Sequence, residues 1–297
     1  MAVTVEDRIE RLTTASARRV IEPDVDVPGG VGDGQVLPDE LLSIAGLPDV
    51  LAGLTPEQKR TLSREEVASI AVAGIRFEAV LEAGFAAEIA TAHDVTDPRL
   101  TFILHEMGEE TRHMRLFQRL VASCAPTATT PIPFRLVQLG YRLVIHASVR
   151  FPALFYVLVL GGEEIPDLFQ KLASEHPDTD EFVRAVNKYH RLEEARHLSF
   201  ARATYPDVWS RASWLDRFLV KHVAPHLVRF MFESMVHPGV YATVGLPAMP
   251  TWRAVNRSEH RRSWRHEATR PVLEALVDAG AFGARRVPRA WRALCGM

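Results

Sequence analysis

Glu109-Glu110-Thr111-Arg112-His113 returns, with one substitution, as Glu193-Glu194-Ala195-Arg196-His197. Glu110 and Glu194 stand 84 positions apart, and each heads a Glu-x-x-His pair inside a run that reads as helix. Residues three apart on a helix share a face, so each pair sends a carboxylate and an imidazole toward one point. In the first run Ile103, Met107, Glu110, His113 and Phe117 follow one three-and-four stripe. In the second, Val183, Val186, His190, Glu194, His197 and Ala201 do the same. An isolated charge on an apolar stripe is very costly, so these side chains must be paired or bound to metal. A hydrogen-bonded Glu–His pair at a bundle surface accounts for one copy; two copies on inward stripes favour metal.

Two Glu-x-x-His helices, with one Glu from each of two more, form the ligand pattern of the dinuclear site in ferritin-like four-helix bundles. The further carboxylates are sought on the helices ahead of each repeat. Glu163 and Glu164 follow Leu158-Val159-Leu160-Gly161-Gly162, which turns at least one of them inward. Glu78 and Glu82 lie four apart on a run from about Pro56 to His93; Glu88 is too near the following turn. Glu78 is preferred to Glu82 because it lies 32 residues before Glu110, close to the 31 between Glu163 and Glu194. His190 precedes Glu194 by four and His197 by seven, which adds a third imidazole to that face. Its counterpart in the first copy is Glu106, read as an outer acceptor or a surface residue and not as a ligand. Pro166 removes the backbone donor to Gly162, so a kink or π-type distortion is expected beside the Glu163–Glu164 pair. Arg112 and Arg196 are read as partners for carboxylates of neighbouring helices or as plain surface arginines.

The rest of the chain reads as nearly all helix. An amphipathic segment of about Val5 to Val20 precedes a Pro/Gly/Asp-rich loop through Gly34. Asp94 to Pro98 makes a turn, with Asp97 capping the first repeat helix ahead of Pro98. That helix ends near Cys124, and Pro126 to Pro133 breaks the pattern. Helices are then expected over about Arg135–Arg150 and Phe151–Ser174. After the turn at His176-Pro177-Asp178, Asp178 or Thr179 is expected to cap the second repeat helix. Later helices cover about Ala212–Val236 and Ser258–Ala279. No alternating strand pattern of useful length occurs. Short linkers favour one domain over residues 1–297, with the ligand-bearing bundle at about 56–206 and extra helices over 210–280. The expected fold is all-α, a ferritin-like four-helix bundle with additional helices.

Composition narrows the function. Hydrophobic residues make up 47% and charged residues 24% of 297, as in a soluble globular protein. A net charge of −2 supplies no global basic field, which argues against a nucleic-acid partner. The locally basic stretch from Arg253 to Arg292 is read as solvated or subunit-facing surface. Cys124 and Cys295 are too few for a disulfide scaffold or a thiolate cluster and fit a reducing, cytoplasmic setting. Met1 to Arg19 holds no apolar signal core. The most apolar stretch, Phe151 to Gly162, falls short of the ~20 residues of a membrane span. Carboxylates and imidazoles without thiolate suit iron or manganese better than structural zinc. Four glutamates offset the charge of two divalent ions.

These residues resemble a known family, the diiron N-oxygenases typified by p-aminobenzoate N-oxygenase. That family adds a third histidine as His-x-x-x-Glu-x-x-His, matched by His190, Glu194 and His197. Its other Glu-x-x-His matches Glu110 and His113, its Glu ahead of the triple motif matches Glu163 by spacing, and its first-helix Glu falls on Glu78 or Glu82. The resemblance spans roughly Glu66 to Tyr205. It implies two iron ions, with manganese as the alternative metal, held by Glu78, Glu110, His113, Glu163, His190, Glu194 and His197. It also implies a homodimer, O2 as co-substrate, an external electron donor, and oxygen transfer to an amine nitrogen through hydroxylamine toward nitro. The rival readings are carbon hydroxylation or desaturation on the same architecture, and a non-enzymatic ferritin-like iron-binding protein. Iron storage leaves the helices after Trp209 unexplained. A radical protein would need a tyrosine near the metals, and helical angle points Tyr189 elsewhere. Phe151, Phe155, Tyr156 and Phe230 are candidate pocket residues, although such residues at helical spacing are usually core.

Overall fold

The computed structural model describes residues 4–18, 20–283 and 286–297, and these contain helices and no strand. In chain order the α-helices are α1 (Val5–Arg18), α2 (Pro23–Asp26), α3 (Pro48–Ala52), α4 (Pro56–Thr91), α5 (Pro98–Cys124), α6 (Phe134–Arg150), α7 (Pro152–Glu175), α8 (Glu181–Arg211), α9 (Trp214–His222), α10 (Ala224–Ser234), α11 (Gly239–Ala242), α12 (Ala248–Arg257), α13 (Glu259–Asp278) and α14 (Arg289–Leu294). Arg19, part of the expected first helix, lies outside the described residues. Among the described residues, no helix is long and apolar enough to cross a membrane.

The long helices start where the chain supplies acceptors for their unpaired amides. Thr55 and Gln58 form a reciprocal capping box at α4, and Asp97 accepts from the Arg99 amide at α5. Asp180 caps α8 through the Phe182 and Val183 amides, at 2.9 and 3.1 Å. The expected caps, Asp178 and Thr179, fall inside the turn instead, where the Asp178 amide donates to His176 Nδ1. The first turn of α7 is satisfied from a distance: Asp216 accepts from the Ala153 and Leu154 amides, each at 2.9 Å.

Two expectations about helix continuity need correction. The helix expected over Ala212–Val236 is two, α9 and α10. Pro225 has no amide for the Lys221 carbonyl, and the chain breaks there. Conversely, α7 runs as α-helix through Pro166, with no π-helical turn.

α4 packs along α5 and α7 along α8, and the two pairs meet through α5–α8 and α4–α7 contacts to complete a four-helix bundle. α1 lies across α5 and α8, while α9, α10 and α13 cover α7. Two apolar clusters occupy the two ends. One gathers Phe85, Phe102, Phe155 and Phe200, with Trp291 from the C-terminal segment. The other gathers Leu62, Phe117, Phe182 and Val183, with Leu37 from the N-terminal loop. Along α4, α5 and α8 the side chains between these clusters are Glu78, Glu110 with His113, and His190 to His197. The bundle thus brackets a polar belt between two dry ends. Close approach at the belt depends on glycine. A Cβ at Gly162 would overlap the tip of the Phe77 ring, and one at Gly84 the Phe155 ring.

Candidate metal centre

Each helix of the bundle delivers carboxylate or imidazole to the belt: Glu78 from α4, Glu110 and His113 from α5, Glu163 from α7, and His190, Glu194 and His197 from α8. All seven are buried. Nδ1 of His113 lies 3.1 Å from Glu110 Oε2 and 3.2 Å from Glu194 Oε1. Nδ1 of His197 lies 3.0 Å from Glu194 Oε2 and 3.1 Å from Glu110 Oε1. The two central carboxylates therefore each reach both imidazoles. His190 turns Nε2 to the same place, 3.2 Å from Glu78 Oε1 and 3.3 Å from Glu194 Oε1. Glu163 shares a hydrogen bond with Glu194. Of the alternatives weighed from sequence, Glu164 pairs with Arg202, away from the centre. Glu82 is half-buried, with Oε1 lacking a partner.

The outer nitrogens are held crosswise. His113 Nε2 sits 3.0 Å from Glu193 Oε2 on α8, and His197 Nε2 sits 2.8 Å from Glu109 Oε2 on α5. Each repeat thus supplies the carboxylate that fixes the other repeat's histidine. Arg196 donates to Glu109 Oε1 at 2.8 Å, Arg112 lies 3.6 Å from Glu193, and the Tyr189 hydroxyl donates to Glu193 at 2.9 Å. His190 Nδ1 is 3.1 Å from Gln170 Oε1. Sequence reasoning left Glu109, Glu193 and Gln170 unassigned. The signal for the first two was the doubled Glu of the repeated phrase. For Gln170 it was a position seven residues, two turns, beyond Glu163.

Three sequence readings change here. Tyr189 does not point elsewhere: it is buried, with its ring centroid 5.6 Å from that of His113. It shares a face with Glu193, four residues on, and its length carries the hydroxyl there. Glu106 is no surface residue; it is 0% exposed, and neither carboxylate oxygen has a hydrogen-bond partner. Phe230 is 60% exposed, and Phe155 and Tyr156 belong to the core.

Burial and mutual charge split the titrations. Burial, reinforced by the charge of Glu110, pushes the Glu78 carboxyl well up, and burial with Glu194 does the same to Glu163. Burial raises Glu106 to about 8. At Glu194 burial is outweighed chiefly by the positive charge of His197, with hydrogen bonds from Glu163 and His113, which hold it well below the usual carboxylate range. Burial would push His113 and His197 down, but the surrounding carboxylates raise both well above the usual imidazole range. His190, bonded to Gln170 on its far side, is pushed by burial down to about 4. Glu109 is raised by burial but lowered more by His197 and Arg196, to about 2. Burial and charge thus favour the protonated forms of Glu78, Glu163 and the two imidazoles and the ionised form of Glu194.

That balance fits a cation site. Glu78 Oε2, Glu163 Oε1 and both oxygens of Glu106 are buried without a donor, which is rare in a folded interior. Among the described residues, donor atoms lie within 4.8 Å of one another in three groups: Glu78, His113 and His190; Glu106, Glu110 and His197; and Glu110, His113 and Glu194. The donors are oxygen and imidazole nitrogen only, the set favoured by iron and manganese. The free thiols, Cys124 and Cys295, are not among them.

The chain also resembles known proteins in sequence. The family model described as p-aminobenzoate N-oxygenase AurF matches residues 3–280. Two uncharacterised proteins, from Mycobacterium bovis and Mycobacterium tuberculosis, are 30% identical to the chain over 173 residues. The match covers 58% of this chain and 50% of theirs, so the chain spans about half the length of these relatives.

Proposed function

The chain belongs to the p-aminobenzoate N-oxygenase AurF family, and from that premise we propose that it is a non-haem diiron oxygenase acting on the nitrogen of an amine, an arylamine first. The observation that carries this reading is the buried cage of three histidines and four glutamates with orphaned oxygens and no thiolate. Glu78, His113 and His190 would hold one iron, and Glu163 with His197 the other. Glu110 and Glu194, each within reach of both inner imidazoles, would complete the ligand set.

Bound iron supplies O2 activation and oxygen transfer, with electrons from an external donor. The chain's own residues set the conditions. Glu193 and Glu109 accept the Nε2 protons of His113 and His197, which fixes each tautomer and presents Nδ1 inward. Gln170 accepts the Nδ1 proton of His190 and presents Nε2. The apolar clusters at both ends limit water at the centre, which strengthens every charge interaction there. A homodimer belongs to the same reading. Leu136, Leu139 and Leu143, exposed along one side of α6, are apolar surface that a second subunit would cover.

The test is anaerobic loading with iron(II), followed by O2 and a panel of arylamines. About two irons per chain and hydroxylamine or nitro products are expected, as for a dinuclear carboxylate bundle. A protein that takes up no iron, or takes it up and leaves amines unchanged, overturns the proposal.

A further inference from the structure

Exchange of the two repeats maps α5 onto α8, Glu110 onto Glu194 and His113 onto His197. The same exchange maps Glu106 onto His190, because each precedes its repeat's histidine by seven residues. Two helical turns bring position 106 back to the face of His113, so this carboxylate points into the belt. The spatial grouping respects the exchange. His190 on α8 clusters with His113 on α5 and with Glu78, while Glu106 on α5 clusters with His197 on α8 and with Glu110. Glu106 is 0% exposed, and nothing in its surroundings donates a hydrogen bond to either oxygen. A buried carboxylate with both oxygens unsatisfied is unlike Glu109 or Glu66, whose oxygens are taken by His197 and Arg196 or by Ser43.

We propose that Glu106 is a further ligand of the metal held by His197, standing where His190 stands for the metal held by His113. The assignment rests on the dinuclear reading above. It makes the two metal positions chemically unequal: one has two imidazoles, and the other has one imidazole and an additional carboxylate.

The test is Mössbauer spectroscopy of protein loaded with two 57Fe(II) ions, together with anaerobic iron(II) titration, on wild type, Glu106→Gln and Glu106→His. In wild type two distinct ferrous doublets are expected. Glu106→Gln should alter one doublet, leave the other in place, and weaken one of the two binding steps by about 10-fold or more, the scale on which metal sites respond to lost support. Glu106→His should bring the two doublets closer together. A variant-independent arm is the crystal structure of manganese-loaded wild type. There a Glu106 oxygen is expected at about 2.0–2.2 Å from one ion, as for carboxylate ligands generally. Two ions bound with Glu106 out of contact with both, or Glu106→Gln spectra and affinities unchanged, overturn the assignment while leaving the dinuclear reading intact. Wild type that binds no pair of ions defeats the dinuclear reading itself.

Discussion

Gly162→Ala tests whether the spacing of α4 and α7 at the belt is set by one ring against one glycine. Gly162 immediately precedes Glu163, and Phe77 immediately precedes Glu78. A Cβ at position 162 would overlap Cζ and Cε1 of Phe77. Carbon atoms prefer separations near 3.5–4.0 Å, so the ring or the helix must retreat on the order of 2 Å. Overpacking of this kind costs about 1–3 kcal/mol. Replacing glycine by alanine inside a helix returns about 0.5–1 kcal/mol, so the net loss is expected near 1–2 kcal/mol. Thermal unfolding of the metal-free protein should then show a Tm lower by roughly 2–8 °C, at ~2–4 °C per kcal/mol for chains approaching this size. The double variant Gly162→Ala/Phe77→Leu should recover most of that loss, because contacting residues couple. Iron binding should fall with Gly162→Ala and return with the second change. A single variant as stable as wild type, or losses in the two variants that simply add, would refute the spacing argument.

Glu193→Gln and Glu109→Gln should each weaken iron binding about 10- to 100-fold, because each removes the carboxylate that orients a histidine from behind; titration with iron(II) checks this. Gln170→Leu should have a similar but smaller effect confined to one of the two binding steps, since only His190 leans on it. Metal binding should release protons, because Glu78, Glu163, His113 and His197 all have raised pKa values in the metal-free centre. Calorimetry in buffers of different ionisation enthalpy counts those protons, and a count of zero would contradict the electrostatics. The same shifts fix the stability trend. The two histidines, raised above 6.5, stabilise the metal-free fold fully below that pH and lose this contribution as pH rises through their folded values. The Tm gap between iron-loaded and metal-free protein should therefore widen with pH from about 6.5 upward. Asp216→Ala should cost about 1–2 kcal/mol in urea unfolding, at the upper end of cap losses, because it orphans two buried amides of α7.

Much of this was legible in residue order. Three-and-four spacing gave the long helices to within a few residues, since an apolar stripe broken only by Glu110, His113, His190, Glu194 and His197 has few other uses. Local chemistry also exposed the cap Asp97 through the proline that follows it. What stayed hidden depends on partners distant in sequence. Asp216 caps a helix that begins more than 60 residues earlier, and no local pattern announces it. The burial of Glu106 follows from α8 lying against its face, and a carboxylate at that register reads equally well as surface. Helical angle alone does not place Tyr189, whose long side chain carries its hydroxyl to Glu193. Pro225 sits in a strongly apolar run, where hydrophobic periodicity masks the missing amide.

The crosswise support of His113 by Glu193 and of His197 by Glu109 ties the fates of the two repeats together. Neither half can be swapped as a cassette from a distant cousin, since the incoming histidine would meet a brace shaped for another. Substitutions at 113 and 193, and at 109 and 197, should travel through lineages as couples separated by some eighty positions, while neighbours along the chain drift apart freely.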